Sequence, residues 1–184
     1  LLVLLTAAAA PSLQFLQFDI SAQSLMVKSD PSWKAYQQLK QEFGSESVVI
    51  IVVSDDELFT ADKLGQLKQV LQQLQGLEFI SSTSSLFDVP NVREVDGFIE
   101  SKPFLYELPA DQEQSRLLID DALANPLVAD NLVSRDGKTM ALNLAIDSSE
   151  HYPGRDAQIN QSIEQLLQPL RAEFDKVYQM SSPY

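Results

Sequence analysis

The chain has 184 residues, 45% of them hydrophobic and 21% charged, which calls for a packed core rather than global disorder. Thirteen Lys and Arg against 26 Asp and Glu leave a formal charge of −13, a surface that repels phosphate backbones and anionic headgroups and argues against nucleic-acid binding. The absence of Cys excludes disulfides, thiolate metal sites and a Cys nucleophile, and the single histidine, His151, excludes His-rich zinc sites.

Leu1 to Ala10 carry no charge, and the run of low polarity extends to Phe18 before Asp19. A spanning helix needs roughly 20 apolar residues. Residues 1–18 therefore read as the end of a transmembrane helix. The alternatives are a signal-peptide remnant and a buried N-terminal helix. The first two place residues 19–184 outside the cytoplasm. The lack of an initiator Met and of a basic leading segment favours the membrane helix.

Ser29-Asp30-Pro31 reads as a helix start, with Trp33, Tyr36, Leu39 and Phe43 on one face and Gly44 as the stop. Val48 to Val53 is a β-branched run without alternation, which predicts a strand covered on both faces or nearly so. Asp55-Asp56-Glu57 ends it. A cation site is one reading there, but the spacing matches no calcium loop, and a solvated strand end is the ordinary one. Thr60 is placed to cap a helix with Leu64, Leu67, Leu71 and Leu74 on one face and Gly76 after its end. A short strand over Leu77 to Ser82 completes a β-α-β unit.

Between Leu86 and Pro109 the pattern is broken by Pro90, Gly97, Pro103 and Pro109, while Phe87, Phe98, Phe104 and Tyr106 supply aromatics. These four are the candidate substrate- or partner-facing residues; the competing reading is a satellite cluster of the core. Asp111 with Gln114 resembles a capping box for a helix to about Ala124, ended by Asn125-Pro126. Asp120-Asp121 on that helix reads as a solvated face. Asn131 to Arg135 and Lys138 to Asp147 flank Asp136-Gly137, a pair suited to a tight type I′ hairpin turn. A helix is predicted over Arg155 to Phe174, with Pro169 expected to kink or split it, and a last strand over Val177 to Met180.

The order points to an α+β fold, a ferredoxin-like split βαβ sheet with helices on one face. An irregular and helical insertion spans about residues 86–125. No phosphate-binding glycine loop or Gly-x-Ser-x-Gly elbow is present. His151 lies in a turn-rich stretch and reads as a structural or surface residue. No catalytic, cofactor or metal residue is assigned, and the chain does not read as an enzyme.

Three stretches together resemble the RND superfamily, closest to its MMPL-like and Patched-like exporters. They are Ser29-Asp30-Pro31 through Gly44 into the Val48 to Val53 strand; Asp56-Glu57-Leu58-Phe59-Thr60, the Leu-rich helix and Ser81-Ser82-Thr83-Ser84-Ser85-Leu86; and Asn125-Pro126 with Leu132 to Thr139. Their order and spacing over about 150 residues carry the likeness. Met180-Ser181-Ser182-Pro183 has Ser181 where the family's Gly-x-Pro leads one to expect Gly. The resemblance implies the first extracytoplasmic, porter-like domain of a proton-driven exporter in a bacterial inner membrane. It implies that the domain receives or gates hydrophobic or lipid-like substrates. Its partners would be the transporter's membrane helices and second loop domain, with a homo-oligomer also allowed. The proton-carrying acids of that family lie in membrane helices outside this chain. The alternative is a secreted periplasmic binding module of ferredoxin-like fold.

Overall fold

The computed structural model describes residues 47–181 except 96, 148–151 and 153, together with Ala35, which is helical and exposed. These belong, from Ser47 on, to the compact unit Ser45–Ser182. The N-terminal apolar run, the rest of the Asp30 to Phe43 segment and His151 lie outside the described residues.

Strand β1 (Ser47–Ser54) leads through helix α1 (Ala61–Gln75) to β2 (Ile80–Ser84). A hairpin of β3 (Pro90–Val95) and β4 (Phe98–Pro103) follows, then helix α2 (Gln112–Ala124). The chain ends in β5 (Thr139–Ile146), helix α3 (Arg155–Glu173) and β6 (Lys176–Ser181). The fold is mixed α+β. Four strands form one sheet in the order β2-β5-β1-β6, with every neighbouring pair antiparallel. It follows that β1 and β2 run the same way with β5 between them, so the β-α-β unit read from the sequence is split by a later strand.

Burial along β1 alternates. Val49, Ile51 and Val53 are buried, while Ile50 and Val52 are half-buried and Val48 is exposed. The Val-rich run is thus covered on one face, not two. Its partners Leu144, Leu142 and Met140 lie directly across on the same side, because side chains alternate with period two. The opposite side carries Ala141 and the exposed Tyr178 and Met180. Leu64, Leu67, Leu71 and Leu74 of α1 and Ile159, Ile163, Leu167 and Leu170 of α3 join the buried strand residues in one core. The three- and four-residue spacing of these positions puts them on one stripe of each helix.

Several local expectations meet a different outcome. Helix α3 continues through Pro169 to Glu173 without splitting. Leu167 and Leu170 on either side of the proline are buried in the core, and that packing outweighs one missing hydrogen bond. Thr60 occupies the N-cap of α1, but its hydroxyl donates to the Glu57 carbonyl (2.9 Å) rather than accepting from the helix. Asp136-Gly137 does not form a type I′ turn, which needs positive φ at both residues: Gly137 has φ 68°, and Asp136 is not in that region. Gly137 N–H donates to the Ser134 carbonyl (2.9 Å), and Asn131 to Arg135 contributes only single bridges instead of a strand. The Asp111 cap forms as expected, accepting from Gln114 N–H at 2.8 Å. The Gln114 side chain reaches back to Ala110 N–H (2.9 Å).

Asp55 is 7% exposed, so the strand end is not simply solvated. Its carboxylate accepts from Glu57 N–H (2.8 Å) and from Lys63 Nζ (2.9 Å). Lys63 also donates to the Glu173 carbonyl and lies 4.6 Å above the centre of the Phe174 ring. One lysine therefore ties the end of β1 to the start of α1 and the end of α3. Asp56 pairs with Lys138 at the surface (2.9 Å).

Candidate functional site

The segment between β2 and α2 is more regular than its prolines suggest. Pro90 and Pro103 pair with each other at the open end of the β3–β4 ladder, where a strand tolerates a missing N–H. Val95 pairs with Phe98 across residues 96 and 97, and Gly97 takes φ 81°. In the sequence an Asp-Gly dipeptide separates the two strands, as at positions 136 and 137.

The hairpin lies beside α2, and between them is a cleft of about 730 Å³, within the size range of small-molecule sites. By strand alternation Asn91, Arg93, Glu100 and Lys102 share the cleft side of the hairpin. Phe104, Tyr106, Leu117 and Leu118 supply its apolar surface. Two polar contacts link the walls: the Asn91 side-chain amide donates to Asp121 Oδ2 (2.6 Å), and Arg93 donates to the same oxygen. Asp121 is therefore a cross-link between hairpin and helix rather than part of a solvated face. Asp120 keeps to the surface opposite Arg116 (3.9 Å). Ser115 anchors the helix by donating to the Phe59 carbonyl (2.7 Å).

The four aromatics expected to face a substrate or partner are placed differently from one another. Phe87 is half-buried and packs against the core. Phe104 is buried, 6% exposed, and forms the floor of the cleft. Tyr106 lines the cleft and is 56% exposed. Phe98, 77% exposed, stands at the hairpin tip on the same side of β4 as Glu100 and Lys102 but beyond the lining. Ile99 and Val92 project from the hairpin's other side and are largely exposed.

One corner of the cleft holds a cation. Lys102 Nζ is 2.6 Å from Glu100 Oε1 and 5.1 Å above the centre of the Tyr106 ring. The Glu100 hydrogen bond and charge, with smaller attraction from Tyr106 and Glu107, hold the Lys102 ammonium above the ordinary lysine value. Chemically the site offers apolar surface and fixed charges. No group of three or more His, Asp or Glu able to hold a metal occurs among the described residues, nor does any helix there have the length and apolarity to cross a membrane.

No protein-family model matches the chain, and a search of curated proteins returns no match.

Arg93, Lys102, Leu117 and Asp121 were missed as site residues in the sequence. The turn signal at Asp96-Gly97 was available to pair β3 with β4, but nothing local brings α2 to that hairpin. Asn91 and Asp121 are 30 residues apart.

Proposed function

We propose that the chain is the first extracytoplasmic, porter-like domain of a bacterial RND-superfamily exporter of the MMPL-like or Patched-like kind. In this reading residues 1–18 end a transmembrane helix and the rest lies on the periplasmic side of the inner membrane. The domain receives or gates hydrophobic or lipid-like molecules and passes them on within a proton-driven transporter. Its partners are the transporter's membrane helices and its second loop domain.

The observation that carries this reading is the agreement between motif order and element order. Within the described residues the motifs fall on β1, on α1 with β2, and on the segment entering β5, and the interleaved strand order β2-β5-β1-β6 is consistent with a ferredoxin-like split βαβ domain. The hairpin and α2 are then the insertion, and the cleft between them is where apolar substrate is received. Phe104, Leu117 and Leu118 provide dispersion contacts and apolar area. The domain itself moves no proton and breaks no bond. Its contribution to transport is selection and passage.

The test is the parent reading frame. The expected result is further membrane helices after this domain and a second domain of the same element order later in the chain. A frame ending near Tyr184 without further membrane helices overturns the proposal. Cleavage after Ala7 to Ala10 would favour a secreted binding module instead.

A further inference from the structure

We infer that the Tyr106 corner of the cleft is a cation subsite which Lys102 fills in the free protein, and that the cleft's ligand is an amphiphile with a cationic head. The inference rests on the receiving role proposed above and adds the charge class of what is received. A cation already sits there: Lys102 Nζ is over the Tyr106 ring at 5.1 Å and bound to Glu100 at 2.6 Å. An ammonium held by an aromatic face and carboxylates is the arrangement by which proteins recognise ammonium ligands.

The surrounding charges favour the same sign. Arg93 is neutralised by Asp121 and Lys102 by Glu100, which leaves Glu107 as a lining carboxylate with no ion pair among the described residues. An incoming anion finds both cations engaged. An incoming ammonium finds one carboxylate in excess, on a chain whose formal charge is −13. Lys102 is half exposed on a flexible stem, so it can swing into water and hand its place to a ligand. Phe104, Leu117 and Leu118 line the same cleft and cover the apolar tail.

The experiment uses the purified full chain and three probes with one decyl chain, decyltrimethylammonium, decyl maltoside and decyl sulfate, each below its micelle concentration. Calorimetry is expected to show the cation binding best and the sulfate worst. Lys102→Met removes the resident cation and is expected to tighten the cationic probe relative to the maltoside by about two- to fivefold. Glu107→Gln and Tyr106→Leu should loosen it. The ratio of cationic to neutral probe is the readout, because a merely more apolar cleft raises both together. A preference for the sulfate, a ratio that falls in Lys102→Met, or no binding of any probe overturns the inference. The reading frame decides the exporter proposal separately, so a multi-helix frame with failed probe binding refutes only the cation subsite.

Discussion

Replacing Asp55 tests the buried tie between β1, α1 and α3. Asp55→Ala deletes a charge-assisted bond from Lys63 and the bond that satisfies Glu57 N–H. Both are hydrogen bonds to an ionised carboxylate, a class that contributes ~1.5–3 kcal/mol each before solvent replaces part of it. Lys63 keeps the Glu173 carbonyl and the Phe174 ring, and its side chain is 18% exposed, so water recovers part of the loss. The expected destabilisation is about 2–3 kcal/mol, a fall in melting temperature of roughly 4–12 °C for a chain of this size. The neighbouring Asp56→Ala breaks only an exposed pair, with side chains 51% and 78% accessible, and is expected to change melting little. Urea unfolding and thermal melts of both variants at pH 7 make the comparison. Equal melting of the two would refute the reasoning.

The same pair sets a pH dependence. Burial pushes the Asp55 carboxyl up, but the Lys63 hydrogen bond, the Glu57 N–H and the Lys63 charge outweigh it and hold it below the ordinary 3.8. A depressed folded value means that this stabilisation is present above 3.8 and is lost as the pH falls through the folded value. The Lys63 ammonium is raised above 10.5, chiefly by its bond to Asp55, so its share is complete below 10.5 and lost as the pH rises through the folded value. The gap between wild type and Asp55→Ala is therefore expected to narrow at both extremes.

Three further outcomes are expected. Leu142→Ala, at a fully buried site facing Ile51, should lower stability by about 2–5 kcal/mol in urea unfolding, through lost transfer energy and a residual cavity. Gly137→Ala should cost more than Gly97→Ala in the same assay. Both have positive φ, but a Cβ at Gly137 meets Ile119 Cγ2 at 3.1 Å, whereas one at Gly97 meets nothing within 4 Å; the common conformational cost is ~1–2 kcal/mol. Asp121→Ala removes the Asn91 and Arg93 contacts and should speed amide exchange in β3 and β4 while leaving β1 and β5 unchanged, since local opening follows local contacts. Uniform acceleration across the sheet would contradict the cross-link.

Elements whose signals are local are legible in the chain before it folds. The spacing of Leu64, Leu67, Leu71 and Leu74 marked α1, the alternation of Met140, Leu142, Leu144 and Ile146 marked β5, and Asp111 with Gln114 marked the start of α2. Each is a periodicity or a cap decided within a few residues. Of the candidate site, the aromatic segment was legible and the cleft was not. Residue type alone could not separate the exposed Phe98 and Tyr106 from the buried Phe104 and the half-buried Phe87.

Which face of the Val48 to Val53 run is covered depends on packing between elements, because β-branched composition is the same for either face. That packing alone turned two members of ordinary acidic runs, Asp55 and Asp121, into cross-links. Their partners come from other elements: Lys63 holds Asp55 and also a carbonyl 110 residues beyond the lysine itself, and Arg93 reaches Asp121 over 28 residues. Such contacts depend on how helices and strands pack, and no short-range pattern encodes them.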